Sequence, residues 1–188
     1  MLKITVPKRE LFDNKTNEFI YVEKTNLTLE HSLVSISKWE SKWHKSYISS
    51  NGKLSAVEIL DYIKCMTITQ NVDPNVYLAL TKENLEQIQE YISDPATATT
   101  TQHFKKQPNN KNKIITAEVI YSWMISLHIP VEFQKWHLNR LLTLIDVCQM
   151  DQNPESNKMS AKDTKEYYRK TNAARRKAAA QRKAAKKV

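Results

Sequence analysis

The sequence predicts an α+β domain that is mainly helical: an N-terminal β-hairpin or small sheet, then a helical bundle, then a basic C-terminal helix. Two patterns predict this class. Leu2, Ile4 and Val6 alternate with polar residues, as in a strand with one buried face. From Ser32 onward, apolar residues recur at spacings of three and four, which is the period of a helix face.

The first thirty residues predict the β part. Residues 13–17 are an Asp/Asn/Thr cluster typical of a turn, and residues 19–22 are a β-prone run that follows it. The opening of the chain is therefore predicted to be a β-hairpin. Leu27 and Leu29 suggest a third short strand.

The first predicted helix runs from Ser32 to about Lys45 and carries Ile36, Trp39 and Trp43 on one face. This segment mixes tryptophans with lysines, as do platforms that bind single-stranded nucleic acid. The four-residue spacing of the two tryptophans instead favours core packing or an apolar face for a partner, with the lysines at its edge.

Local signals predict the starts of three further helices. Ser55 and Glu58 have the spacing of a capping box. Asp73 precedes Pro74, which predicts an N-cap followed by proline at the first helical position, and Thr81 caps the next helix. The apolar residues expected on these helices are Val57, Leu60, Ile63 and Ile68 in the first, Val76, Tyr77 and Leu80 in the second, and Leu85, Ile88 and Ile92 in the third.

A polar stretch at residues 93–113 predicts a long loop, and the most apolar part of the chain follows it. One helix is predicted to begin at Thr116, and a last helix to run from Pro130 through Trp136 to Cys148. Together they are expected to form the core hairpin of the bundle. Trp136 is accordingly expected in the core, with Lys135 and Arg140 along a polar edge.

Charge divides the chain in two. The 188 residues carry 29 Lys+Arg and 20 Asp+Glu, a net charge of +9. Residues 158–188 hold 12 of these basic residues and two acidic ones, which leaves 17 basic and 18 acidic residues, a net of −1, in residues 1–157. We therefore expect a compact domain over residues 1–157 and a basic, mobile, helix-prone tail over 158–188.

Several function classes are excluded by composition. The single glycine, Gly52, cannot build a phosphate-binding or dinucleotide-binding loop. No apolar run is long enough to span a membrane and no signal peptide is apparent, so a soluble cytosolic protein is expected. Cys65 and Cys148 are expected to be buried, reduced thiols.

No enzyme signature is found, so the protein is predicted to be neither an enzyme nor a carrier of a metal or other cofactor. The five histidines lie on separate elements without the spacing of a zinc site, although His128 and His137 could approach one another. Carboxylates such as Glu40 and Glu118 are best explained as surface charge.

Two sets of residues are candidates for binding. Candidates for a protein partner lie in the tryptophan-containing segments, and candidates for nucleic acid or an acidic partner lie in the tail. The alternative for the tail is a solvated helix that aids solubility. The first set is Trp39, Trp43, Trp123, Lys135, Trp136 and Arg140; the second is Arg169, Lys170, Arg175, Arg176, Lys177, Arg182, Lys183, Lys186 and Lys187.

Five stretches, residues 29–45, 61–74, 134–145, 158–160 and 172–177, resemble a family of small tailed-bacteriophage proteins from the structural-gene region, associated with tail assembly chaperones. The resemblance covers nearly the whole chain. It implies a non-enzymatic protein of the host cytoplasm that binds the helical tape measure protein, or other tail proteins, before the tail tube polymerises.

On the reading that this resemblance implies, the Trp39/Trp43 face or the segment from Trp123 to Leu144 would supply an apolar groove, and the basic tail would attract acidic stretches of the client. The Lys186-Lys187 ending is also compatible with a frameshift into a longer product. The alternative is a virion structural or DNA-packaging accessory protein whose neutral body docks to protein while its tail contacts nucleic acid.

Overall fold

The computed structural model describes residues 1–13, 17–50, 53–99 and 114–152, together with Lys165, Arg169 and Asn172. Its architecture is α+β and mainly α, as the sequence predicts. Across the described residues the strands are β1 (Leu2–Val6), β2 (Arg9–Asp13), β3 (Glu18–Val22) and β4 (Thr25–Leu29). The α-helices are α1 (Leu33–Trp43), α2 (Ala56–Met66), α3 (Lys82–Ser93), α4 (Ala117–Ser126) and α5 (Leu138–Gln152), and short 3₁₀ helices span Ile48–Ser50, Pro74–Ala79 and Val131–Lys135.

The chain divides into two units, Met1–Cys148 and Gln149–Val188. The predicted boundary near residue 157 stays a prediction, since it falls outside the described residues. Lys165, Arg169 and Asn172 are helical and exposed. The remainder of the predicted basic tail, and most of the predicted loop at 93–113, also lie outside the described part of the chain.

The strands form two antiparallel two-stranded sheets that follow one another along one hairpin, here called the ribbon. β1 pairs with β4 and β2 pairs with β3. Each strand advances three residues between the Val6–Thr25 pair and the Arg9–Val22 pair, so both ladders share one register without a bulge. Pro7, which has no backbone N–H to donate, lies at the interruption. The hairpin is thus longer than predicted, since β1 pairs with β4, the predicted third strand. The strand β2 was not predicted, because its sequence shows no clear alternation of apolar and polar residues.

The two halves of the ribbon bury opposite faces. In β1 and β4 the buried side chains include Ile4 and Leu27. Continued alternation places Phe12 and Phe19 on that same face in β2 and β3, yet both are at least half exposed. Val22, on the other face, is buried instead. The ribbon therefore turns over along its length, in keeping with the strong twist of two-stranded ribbons.

Capping boxes fix the starts of three helices. Ser32, Ser55 and Thr81 each accept a hydrogen bond from the third residue of their helix, and that residue's side chain returns a bond to the cap. The predicted box of Ser55 with Glu58 is confirmed. Asp73 caps the 3₁₀ helix that begins at Pro74, also as predicted, by accepting from the backbone N–H of the second residue after it.

The buried face of α2 differs from the predicted one. Val57 is 66% exposed, and Ile68 is 44% exposed and lies beyond the end of the helix. Ile63 is buried as predicted, and Tyr62 and Met66 are buried beside it in place of Val57 and Ile68. Glu58 and Asp61 are also buried, where they bond with residues of α1 and the following loop. In α3, Ile88 is buried while Leu85 is exposed.

The predicted helix from Pro130 to Cys148 is interrupted. A 3₁₀ helix covers Val131–Lys135, the backbone of Trp136 is extended, and α5 begins at Leu138. The backbone N–H of Leu138 donates to the carbonyl oxygen of His31 at 2.9 Å, and His137 forms an isolated antiparallel bridge with Ser32. These long-range bonds replace the helical ones at this point.

Candidate functional site

Trp39 lies in the core. It is fully buried, and its indole Nε1 donates to the carbonyl oxygen of Glu58 at 3.0 Å. Trp43 stacks on it with ring centroids 6.0 Å apart and donates from Nε1 to Asp61 at 2.9 Å. Because α2 covers these rings, Trp39 takes the core position that was one of the two alternatives for this segment, and Trp43 is only partly exposed.

The lysines beside these tryptophans pair with carboxylates of α2. Lys42 bonds to Asp61, and Lys45 bonds to Glu58 at 2.6 Å. The Lys45 bond, followed by those from the backbone and hydroxyl of Ser55, lowers the pKa of Glu58 to about 2. Burial opposes ionisation of Asp61, but hydrogen bonds from Lys42 and Trp43 outweigh it and lower its pKa. The segment therefore turns toward α2 and does not form a platform for nucleic acid.

Glu40 is buried, contrary to the surface role expected for it. Its carboxylate accepts from the backbone N–H of Tyr47 at 2.8 Å and of Ala117 at 2.7 Å. Ala117 is the first residue of α4, whose N-cap Thr116 makes no side-chain capping bond within the described residues. Burial raises the pKa of Glu40, and the two N–H donors oppose that shift without cancelling it. Glu40 thus serves as the cap of α4 from a distance.

A stacked aromatic group lies at the surface before α5. The Trp136 ring stacks on Phe133 with centroids 4.2 Å apart and an interplanar angle of 20°. The guanidinium of Arg140 lies 4.0 Å from the Trp136 ring centroid, a cation–π contact. We call Phe133, Trp136 and Arg140 the Trp136 platform. The expectation that Trp136 is a core residue is wrong, because the extended backbone at this position leaves its ring partly exposed.

Three other apolar residues precede the Trp136 platform in the sequence. Trp123 of α4 is partly buried and packs against the core. Ile125 and Val131 are exposed, at 76% and 58%. Lys135 is exposed, as predicted for a polar edge. The α4–α5 segment therefore combines exposed apolar side chains with basic ones.

A buried histidine cluster was missed from the sequence. His137 lies against His31, with ring centroids 5.1 Å apart, and not against His128, which is exposed. His31 shares a hydrogen bond of 2.6 Å between Nδ1 and the hydroxyl of Tyr62. Burial, and then the neighbouring His137, lower the pKa of His31 to about 3. Only the position of His31 directly before a helix cap could have indicated burial.

The outward face of the β2–β3 ribbon was also missed. Phe12 and Phe19 stand opposite each other with ring centroids 5.1 Å apart, and Tyr21 follows on the same face. All three are at least half exposed. The sequence signal was available, since these residues alternate with Leu11, Ile20 and Val22, but both sets are apolar.

The remaining predicted residues give a mixed outcome. Cys65 and Cys148 are free, as expected, but partly exposed, and burial raises the pKa of Cys65. In the tail, Arg169 is helical and exposed. The tail residues that lie outside the described part of the chain are Lys170, Arg175, Arg176, Lys177, Arg182, Lys183, Lys186 and Lys187.

Within the described ranges, no group of three or more His, Cys, Asp or Glu residues could hold a metal ion. Of the helices in those ranges, none has the length and apolar character needed to cross a membrane. Comparison with protein-family models, curated proteins and solved structures finds no match to this chain.

Proposed function

We propose that the protein is a non-enzymatic bacteriophage tail assembly chaperone that binds the tape measure protein during tail morphogenesis. The resemblance of the five sequence stretches motivates this proposal. The Trp136 platform is the observation that supports it best, because a partly exposed aromatic ring stacked on its neighbours is suited to bind an apolar helix face.

Within this proposal the α4–α5 segment contacts the client. Four of the six residues predicted to bind a partner lie in this segment, namely Trp123, Lys135, Trp136 and Arg140. Arg140 lies over the outer face of Trp136 and would have to move aside, or bind an acidic side chain of the client, when the ring is covered. Tryptophan and arginine are the residue types most enriched where interfaces gain their binding energy.

The test is co-expression of the full chain with the tape measure protein, followed by measurement of client solubility and affinity capture. We expect Trp136→Ala and Arg140→Ala each to weaken capture by about tenfold, the effect of one hot-spot side chain. Phe19→Ala is the matched control, because it removes an exposed ring from the ribbon and leaves the platform intact.

Two outcomes would contradict the proposal. An absence of both a complex and a gain in client solubility with the wild-type chain would remove the chaperone role. Capture lost in Phe19→Ala but kept in Trp136→Ala would move the binding surface to the ribbon.

A second candidate is a virion component whose basic tail contacts nucleic acid, and the charge of +10 over residues 158–188 favours it. If the tail neutralises about six phosphates, affinity for DNA should fall roughly a thousandfold between 50 and 200 mM salt. Mass spectrometry of purified virions separates the two functions. A chaperone should be found in infected-cell lysate only, and a virion component should be present in virions at fixed stoichiometry.

A further inference from the structure

His31 and His137 lie where the chain segments before α1 and α5 meet. The carbonyl oxygen of His31 accepts from Leu138, and Ser32 forms a backbone bridge with His137. The two imidazole rings meet at this junction, with centroids 5.1 Å apart and an interplanar angle of 66°. Both histidines therefore belong to the backbone segments whose hydrogen bonds hold the start of α5.

The hydrogen bonds of His137 define its protonation. Its Nε2 lies 3.0 Å from the backbone carbonyl oxygen of Tyr91, which can only accept, so Nε2 carries the proton. Nδ1 of the neutral ring is then a bare acceptor. It is buried and has no hydrogen-bond partner within the described residues. A proton added there would create a buried cation without an acceptor.

His31 is enclosed more completely, with 2% of its surface exposed. Its ring contacts Tyr62 from α2, Tyr47 from the loop after α1, and His137. Burial raises the pKa of both tyrosines, so these hydroxyls remain neutral and supply no negative charge to a protonated ring. Burial, and then the neighbouring His137, lower the pKa of His31 to about 3.

The other ionisable groups near this contact change the pKa values of Tyr62 and Tyr91. Cys65 of α2 contributes to the raised pKa of Tyr62. Glu30 and Asp94 contribute to the raised pKa of Tyr91, although burial is the largest cause there. These two carboxylates lie before α1 and after α3.

We propose that the His31–His137 contact is an acid-sensitive latch, whose protonation releases the start of α5 from the segment before α1 while the α1–α2 core stays folded. A protonated His31 ring would be enclosed beside a second imidazole and neutral tyrosines, and opening returns it to water. The direction follows from linkage. The neutral His31 ring belongs to the closed form, so closure is fully favoured above the ordinary histidine pKa of 6.5 and weakens as pH falls toward 3.

Native-state hydrogen exchange of the full chain, followed by NMR and corrected for the intrinsic exchange rate, tests the latch. A pKa moving from about 3 when closed to 6.5 when open predicts that protection of the Leu138 amide falls about 20-fold from pH 7 to pH 5. The amide of Ile63, buried in α2, should keep its protection over this range.

Variants identify the responsible groups. His137→Gln keeps an N–H that can donate to the Tyr91 carbonyl but removes the imidazole that lowers the pKa of His31, so its Leu138 protection should depend less on pH than in the wild type. His31→Gln should show the same change. If His31→Gln fails to fold, the wild type and His137→Gln still decide. His128→Asn is the control, since His128 is exposed and Asn tolerates its positive φ of 55°.

Three results would overturn the latch. They are unchanged Leu138 protection in the wild type, simultaneous loss of protection at Leu138 and Ile63, and an undiminished pH dependence in His137→Gln. Either of the first two would mean that the junction does not open by itself.

Discussion

Trp39 and Trp136 each follow a lysine and lie close to a histidine in the sequence, but the molecule uses them differently. Trp39 is in the middle of α1, where α2 buries its ring and accepts its indole N–H. Trp136 lies at a break between a 3₁₀ helix and α5, where its ring stays partly exposed between Phe133 and Arg140.

The contrast shows that local composition does not decide which tryptophan is buried. Helical continuity decides it. Within α1, the three- and four-residue period brings Ile36, Trp39 and Trp43 to one side, and a second helix packs there. At Trp136 the backbone leaves the helical path because the next residues bond to the segment before α1. The position of the Trp136 ring is therefore determined by a contact between segments far apart in sequence.

The largest expected effect is on the buried side. Trp39→Ala should lower the free energy of unfolding by about 3–5 kcal/mol, because it leaves a cavity in the core and removes the indole hydrogen bond to the Glu58 carbonyl. Urea titration followed by circular dichroism measures this change. A loss below about 1 kcal/mol would remove the distinction between the two tryptophans.

Glu40 joins the two regions, since it extends from α1 to the start of α4. Glu40→Ala should cost about 1–3 kcal/mol of stability, because the N–H groups of Tyr47 and Ala117 lose their acceptor. The same urea titration applies, with the exposed Glu132→Ala as control. Equal effects in the two variants would show that the remote cap contributes little.

Trp136→Ala should change stability by about 1 kcal/mol or less, the range of an exposed stacking or cation–π contact. Capture of the tape measure protein should nevertheless weaken. Thermal unfolding and capture are measured on the same preparation. A stability loss near that of Trp39→Ala would return Trp136 to the core.

Glu58→Gln should lower stability at neutral pH and differ little from the wild type in acid. The folded pKa of Glu58 is lowered to about 2, so the stability from its ionised form is present above the ordinary value of 4.5 and lost as pH falls toward 2. The variant should flatten the fall in stability over this window. Glu86→Gln, at an exposed position, should follow the wild-type curve.

Much of the fold was predictable because its signals are local. The caps at Ser32, Ser55, Asp73 and Thr81 need only neighbouring residues, and all four open helical segments. The alternation of β1 is equally local. The fold class is confirmed on these grounds.

The candidate sites were less predictable because they depend on distant parts of the chain. The His31–His137 contact and the Glu40 cap each join elements far apart in sequence. The face predicted for α2 was right only at Ile63 and, in part, Leu60, for a related reason: Glu58 and Asp61 are brought inward by partners from α1 and the following loop.

The shared register of the N-terminal ribbon restricts how the arm could lengthen or shorten during evolution. An insertion on one strand alone would displace every later pair and require a bulge. One residue added to each strand near Pro7 would keep the pairing but turn Phe12 and Phe19 toward the body and Val22 outward. Adding or removing two residues on both strands preserves both the pairing and the faces. Ribbons of homologous proteins should therefore differ in strand length by even numbers of residues.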